Sequence, residues 1–230
     1  MLGGFAFSVG GEVLLGISAG SQRLLAFLAV RDRMVTRNLV AGTLWPESSG
    51  ERAGASLRSA VSRLDGAARD AVKVTSHDLS LGDELVVDMH KARALANRLL
   101  DRDGPHPDND ISSPAVLALS DDLLPGWYDD WAVMAADDWH QLRLHALEAV
   151  AARLMIADRL PEAAVAAVAA VRAEPLRESS RAALIRVHLA EGNQFDAVSE
   201  FERYRVLLRA ELGVEPTSRL SALLAGQRPK

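Results

Sequence analysis

A pattern of small and turn-forming residues recurs once in the second half of this 230-residue chain. Asp158, Ala163, Ala167 and Ala170 return 34 residues later as Gly192, Ala197, Phe201 and Tyr204. A period of that length in an Ala/Leu-rich stretch holds two helices and the turns that join them. One such unit cannot bury its apolar face alone, so copies must stack. Alanine at 163 and 197 lets paired helices approach closely, and Pro175 closes the first copy because proline cannot continue a helix. Nearly everything beyond residue 114 is thereby confined to antiparallel helices, in repeats of tetratricopeptide type.

The first 90 residues follow other periods. FAFSV and EVLLGI alternate between glycines, which predicts two or three short strands with Gly turns. Gln22 to Val30 is an apolar helix. Thr36 is placed to cap a second helix, TRNLVAGTLW, which Pro46 ends because the residue before proline avoids the helical region. A third helix is expected from about Gly50 to Ala68. VKVTS and DLSLGDELVVDM then alternate as a hairpin with a polar tip at Ser76–Asp78. HKARALANRLLDR is a further helix, and DGPHPDNDISSP (103–114) a linker or surface loop. Two domains are expected: 1–89, sheet and three helices, and 90–230, helical, with the loop at 103–114.

Composition excludes several classes. There is no cysteine, hence no disulfide framework or thiolate site, and no apolar run approaches the roughly 20 residues that span a bilayer. A soluble cytoplasmic chain is the expectation, with no membrane partner. Net charge is −5, yet the charge is unevenly placed. Between Ser21 and His77 nine basic residues face five acidic ones, whereas from Asp101 onward 14 basic face 21 acidic. A phosphate backbone feels the local field, so the asymmetry is the useful quantity.

The third helix concentrates the signal. On a helical wheel Ala53, Leu57, Ala60, Val61, Leu64 and Ala68 share one face. Arg52, Ser56, Ser59, Ser62 and Arg63 gather opposite, with Arg58 at the edge. Arginine can fork onto guanine O6 and N7, serine can serve base edges or phosphates, and Ala55 leaves room. Two helices with a short link, the second basic and followed by a hairpin, are in winged helix-turn-helix order. Thr36 would aim the second helix's amides at a phosphate, with Arg37 beside it. Any amphipathic surface helix carries polar residues, so a solvated face is the competing reading.

RLLAFLAV, VTRNLVAGTLWP, ERAGASLRSAVSRL and LSLGDELVVDM together resemble the N-terminal half of the Streptomyces antibiotic regulatory protein family. LLPGWYDDW, LHALEAVAARL, EPLRESSRAALIRVHLAEG and FERYRVLLRAELGVEP resemble that family's bacterial transcriptional activator domain. The resemblance runs through nearly the whole chain in order. It implies a mainly α fold with a small α+β part: an OmpR-like winged helix, then an all-α tetratricopeptide-like domain. It implies an activator of secondary-metabolite clusters that binds double-stranded DNA at direct repeats near the −35 element and recruits RNA polymerase holoenzyme through its sigma region. Dimers or side-by-side protomers on DNA are implied, and the length resembles the family's small members, which lack an added ATPase module. Arg52, Ser56, Arg58, Ser59, Ser62 and Arg63 match the recognition helix. Trp45, Glu47, Ser48, Ser49 and Glu51 fall in the segment matching the loop that faces polymerase. Lys73, Ser76 and His77 match the wing and, with Thr36 and Arg37, the backbone contacts. The chain departs from the pattern where Asp65-Gly66 follows Arg63-Leu64, and at Asp78 in the wing. A helical interaction module whose winged helix no longer binds DNA is the alternative.

No catalytic constellation emerges. His140 and His145 are five apart, on different helix faces, and no third metal ligand is suitably spaced. The pairs Asp121-Asp122, Asp129-Asp130 and Asp137-Asp138 suit caps and turns better than an acid–base dyad. Gly10-Gly11 lacks the context of a nucleotide loop. No enzyme activity, metal or cofactor is expected. In LLPGWYDDW (123–131), two Trp and a Tyr either form a docking surface or plug a gap between the two domains, and plugging is favoured.

Overall fold

Gly10 and Gly11, both with left-handed backbone (φ 59° and 91°), turn the chain between β1 (Ser8–Val9) and β2 (Glu12–Val13), an antiparallel hairpin. This is the glycine turn expected from the alternation. The computed structural model describes residues 1–101, 104 and 107–225. Arg102 of the expected helix, Asp103, Pro105 and His106 of the 103–114 loop, and residues 226–230 lie outside the described residues. The chain divides into two compact units, 1–91 with 122–139, and 92–121 with 140–230.

In the first unit, α1 (Ala19–Arg31) is capped by the Ser18 hydroxyl and buries Leu24, Leu25, Phe27 and Leu28. β3 (Val35–Thr36) is a two-residue strand too short to show in the alternation. It runs into α2 (Arg37–Leu44), where the Thr36 hydroxyl accepts from the Leu39 amide as expected of an N-cap. β4 (Val72–Val74) and β5 (Asp78–Leu81) form the expected hairpin, and β3 adds to it in the order β3-β5-β4, all antiparallel. The strand ends at Leu81. DELVV is a turn and extended segment that buries Val87 and leaves Val86 exposed.

The third helix corrects the sequence expectation. It is two helices, α3 (Gly50–Ser62) and α4 (Gly66–Asp70), instead of one from 50 to 68. Asp65 is extended and occupies the N-cap position of α4 without a side-chain bond, and Gly66 has φ 46°, a left-handed conformation that glycine adopts without strain. Ala68, expected on the apolar face of α3, is buried from α4.

Ending α3 at Ser62 orphans its last carbonyls. The Arg63 amide and Ser62 hydroxyl reach the Ser59 carbonyl, and the Leu64 amide reaches that of Val61. The Ala60 carbonyl accepts from the hydroxyl of Ser21 on α1 at 2.8 Å, inside the core. Ser21→Ala leaves that acceptor buried and unpaired and should cost about 1–3 kcal/mol. Urea unfolding of the full chain measures it, and an unchanged midpoint would contradict the role assigned to Ser21.

Residues 122–139 belong to the first unit. The Gly3 amide donates to the Asp122 carbonyl and the Leu124 amide to the Met1 carbonyl, with Leu2 bridged to Leu123. Trp131 meets Phe27 edge-on at 5.3 Å and Trp127 at 6.0 Å, and Trp127 lies 6.1 Å from Phe5. Packing therefore accounts for both tryptophans, against partners in the first unit. Tyr128 is exposed.

In the second unit α5 (Asp88–Leu100), which begins in the first, is followed by a 3-10 turn (Asp108–Ile111) and α6 (Ser113–Ser120). Within the 103–114 segment, Asp108–Ile111 form the 3-10 turn and Ser113 begins α6. α7 (Asp130–Ile156) also spans both units; α8 (Leu160–Ala173), α9 (Glu178–Ala190), α10 (Gln194–Leu212) and α11 (Ser218–Ala225) follow. The repeat is reproduced bond by bond. Asp158 and Gly192 are both left-handed, at φ 58° and 79°. The Arg159 amide donates to Leu154 as Asn193 does to His188, and Asp158 to Met155 as Gly192 to Leu189. Ala163, Ala167, Ala170, Ala197 and Tyr204 are buried, as close helix packing requires. No helix among the described residues is long and apolar enough to cross a membrane.

Candidate nucleic-acid interface

The strand β3, leading into α2, fixes where the wing sits. The Arg37 amide, first in α2, donates to the His77 carbonyl at 2.8 Å, and Thr36 pairs with Asp78 across the sheet. The wing tip is a tight turn on one side chain: the Thr75 hydroxyl accepts from the His77 and Asp78 amides at 3.2 and 2.9 Å. Between this tip, the start of α2 and the N-terminal half of α3 lies an open groove of about 730 Å³. Thr36, Arg37, Asn38, Ser48, Arg58, Ser76 and His77 supply its polar wall, and Trp45 also lines it. Asn38 was missed in the sequence; it directly follows Arg37 in the first turn of α2, and that proximity was the available signal.

α3 presents its polar side much as the wheel requires. Ala53, Leu57 and Ala60 are buried, Leu64 just past its end is buried, and Val61 is half-buried. Arg52, Arg58, Ser62 and Arg63 are exposed, whereas Ser56 and Ser59 are half-buried. Of the six recognition-helix candidates only Arg58 lines the groove. The Ser62 hydroxyl donates to the Ser59 carbonyl, so its proton is already used. Arg63 is the C-cap of α3. Asp65, past the end of α3 and at the N-cap position of α4, is not part of the polar face of α3.

The arginines of this face carry no ion pairs among the described residues: Arg37, Arg52, Arg58 and Arg63 have no carboxylate at ion-pair distance. In the second unit Arg98 pairs with Asp110, Arg177 with Glu148, Arg181 with Glu200 and Arg205 with Glu202, while Arg172, Arg186 and Arg219 have no ion pair among the described residues. Arg37 and Arg58 line the groove, while Arg52 and Arg63 are exposed in the first turn of α3 and at its C-cap, with the Glu51 carboxylate beside Arg52 in sequence. Lys73 on the wing is instead held by Asp83 at 2.5 Å. Both are well exposed, so the pair is worth about 0–1 kcal/mol and a phosphate can displace it.

The α2–α3 link places the remaining candidates. Trp45 caps the C-terminus of α2 and is half-buried, and its carbonyl accepts from the Ser48 amide in a turn. Glu47 is exposed, and Ser49 precedes α3 without a side-chain cap bond. Glu51 is in the first turn of α3 rather than in the link. Elsewhere, His140 lies 3.5 Å from Glu174 and His145 contacts Arg177. No group of three His, Asp or Glu side chains among the described residues could hold a metal.

Residues 86–226 match the family model for the bacterial transcriptional activator domain, which is more than half of the chain. Regulatory protein AfsR of Streptomyces griseus is 27% identical over 227 residues, covering 93% of this chain and 23% of its own length. The protein of the same name from Streptomyces coelicolor is 29% identical over 227 residues, with 93% and 22% covered. This chain therefore spans less than a quarter of the length of these relatives. The structure of Mycobacterium tuberculosis EmbR in complex with a low-affinity phosphopeptide superposes with a TM-score of 0.62 at 20% identity. It covers all of this chain and 65% of that one, a likeness in fold.

Proposed function

The chain belongs to the bacterial transcriptional activator domain family, and we propose that it is a sequence-specific DNA-binding activator of transcription. The carrying observation is that Arg37 on α2 and Arg58 on α3 line the groove with no carboxylate at ion-pair distance among the described residues. α3 enters the major groove, where Arg58 reads guanine and Arg52 and Arg63 hold flanking phosphates. Thr36, Arg37, Lys73, Ser76 and His77 bind the backbone from the start of α2 and the wing. Trp45, Glu47, Ser48 and Ser49 present the polymerase-facing turn, toward the sigma region of the holoenzyme. Protomers sit side by side on direct repeats near the −35 element, about 10–11 base pairs apart. The two Streptomyces relatives named as regulatory proteins support the regulatory role, and the resemblance in sequence implies targets in a secondary-metabolite cluster.

Arg58→Ala should weaken specific binding by about 1–3 kcal/mol. Arg63→Ala should weaken it by a similar amount and lower the salt slope by about one. Anisotropy titrations at several salt concentrations on a footprinted site test both, and unchanged affinity in both variants would overturn the assignment. The alternative, an interaction module with a silent winged helix, draws support from the Lys73–Asp83 pair. It requires DNA retention to be absent or insensitive to salt, whereas phosphate contacts make it fall steeply.

A further inference from the structure

Glu51, Ala55, Arg58 and Ser62 follow one another at spacings of four, three and four, a single line along α3. All four are exposed, and the line lies opposite buried Ala53, Leu57 and Ala60. It is therefore the part of α3 that penetrates deepest when this face enters a groove, and it begins with a carboxylate. Glu51 has no cationic partner among the described residues. Phosphates flanking a groove repel such a group. The groups there that favour it are the amino hydrogens on base edges, and cytosine N4 offers them to a carboxylate.

Resting on the DNA-binding reading above, we propose that Glu51 is a specificity-determining residue that selects a cytosine. Glu51 and Arg58 are two turns apart, about 10 Å along the helix axis. At about 3.4 Å per base pair, the cytosine lies about three base pairs from the guanine read by Arg58. Ala55 stands between them with a methyl group suited to a thymine methyl. Ser62 ends the line with its proton engaged by the Ser59 carbonyl, so base reading is concentrated in the first two turns.

A first-turn carboxylate also stabilises a helix N-terminus, and that role alone would alter stability without touching base preference. Selection from randomised DNA with the full chain separates the two. The wild type should enrich a site with a guanine and a cytosine about three base pairs apart. Glu51→Ala should keep the guanine preference and lose that for cytosine, a discrimination of about tenfold or more. Glu51→Gln, nearly isosteric and a safeguard against misfolding, should move the preference at that position toward adenine. If both variants enrich the wild-type site, the proposal is overturned and the DNA-binding reading stands. If the wild type enriches no site at all, the reading fails and the proposal with it.

Discussion

Trp131→Ala is expected to destabilise the first unit by about 3–5 kcal/mol, the cost of removing a large buried aromatic. Its ring is buried and meets both Phe27 and Trp127 edge-on, so truncation empties a site with aromatic walls. Phe27 is fully buried on α1, the helix whose Ser21 holds the end of α3. A cavity beside Phe27 therefore loosens the support of α3. For a unit of this size the loss lowers the thermal midpoint by roughly ten degrees or more. Calorimetry of the full chain should show the first unit's transition shifting down, and DNA affinity should fall with it. Trp131→Phe should behave differently. It keeps an aromatic edge and removes an indole N–H that is buried with no hydrogen-bond partner among the described residues, so stability should stay within about 1.5 kcal/mol. A wild-type midpoint in Trp131→Ala would remove these aromatics from the core.

The same residues show what could be read from the chain and what could not. Periodicity and capping were legible: the Gly10-Gly11 turn, the Thr36 cap, the wing tip and the 34-residue repeat all depend on residues close in sequence. The membership of 122–139 in the first unit was not, because it is made by backbone bonds from Gly3 to Asp122 and from Leu124 to Met1, across more than a hundred residues. Local pattern carries no record of such pairing. The break in the third helix was half visible. Asp65-Gly66 is a turn signal, but the apolar spacing through Ala68 outweighed it. In the site, residue types could be named and their partners could not. Whether an arginine is free or neutralised depends on carboxylates brought near by folding, as Lys73 and Asp83 illustrate.

Glu200→Ala is the second large effect, and it follows from the pairing within the second unit. Glu200 on α10 is buried and is bonded to Arg181 on α9, with Arg203 at 3.2 Å as an exposed second partner. The Arg181 guanidinium also stacks 5.5 Å from the centre of the Tyr204 ring and reaches the Pro175 carbonyl at 3.3 Å. Burial pushes the Tyr204 phenol above its ordinary value, with Glu178 adding to the shift and Arg181 opposing it. It therefore stays protonated at neutral pH and donates to the Leu176 carbonyl at 2.9 Å. Removing the Glu200 carboxylate leaves a cation in this interior with a π face and one carbonyl, which should cost about 3–5 kcal/mol. The discriminating variant is the double replacement Arg181→Met with Glu200→Leu. It takes away both charges together and should restore stability to near or above the wild type, since a buried pair gains little over well-packed apolar groups. Unfolding of the two variants side by side decides the matter. Equal losses would mean that packing, and not charge, holds α9 to α10. Recovery in the double variant would mean that the pair specifies how the repeat's helices meet while adding little to their stability.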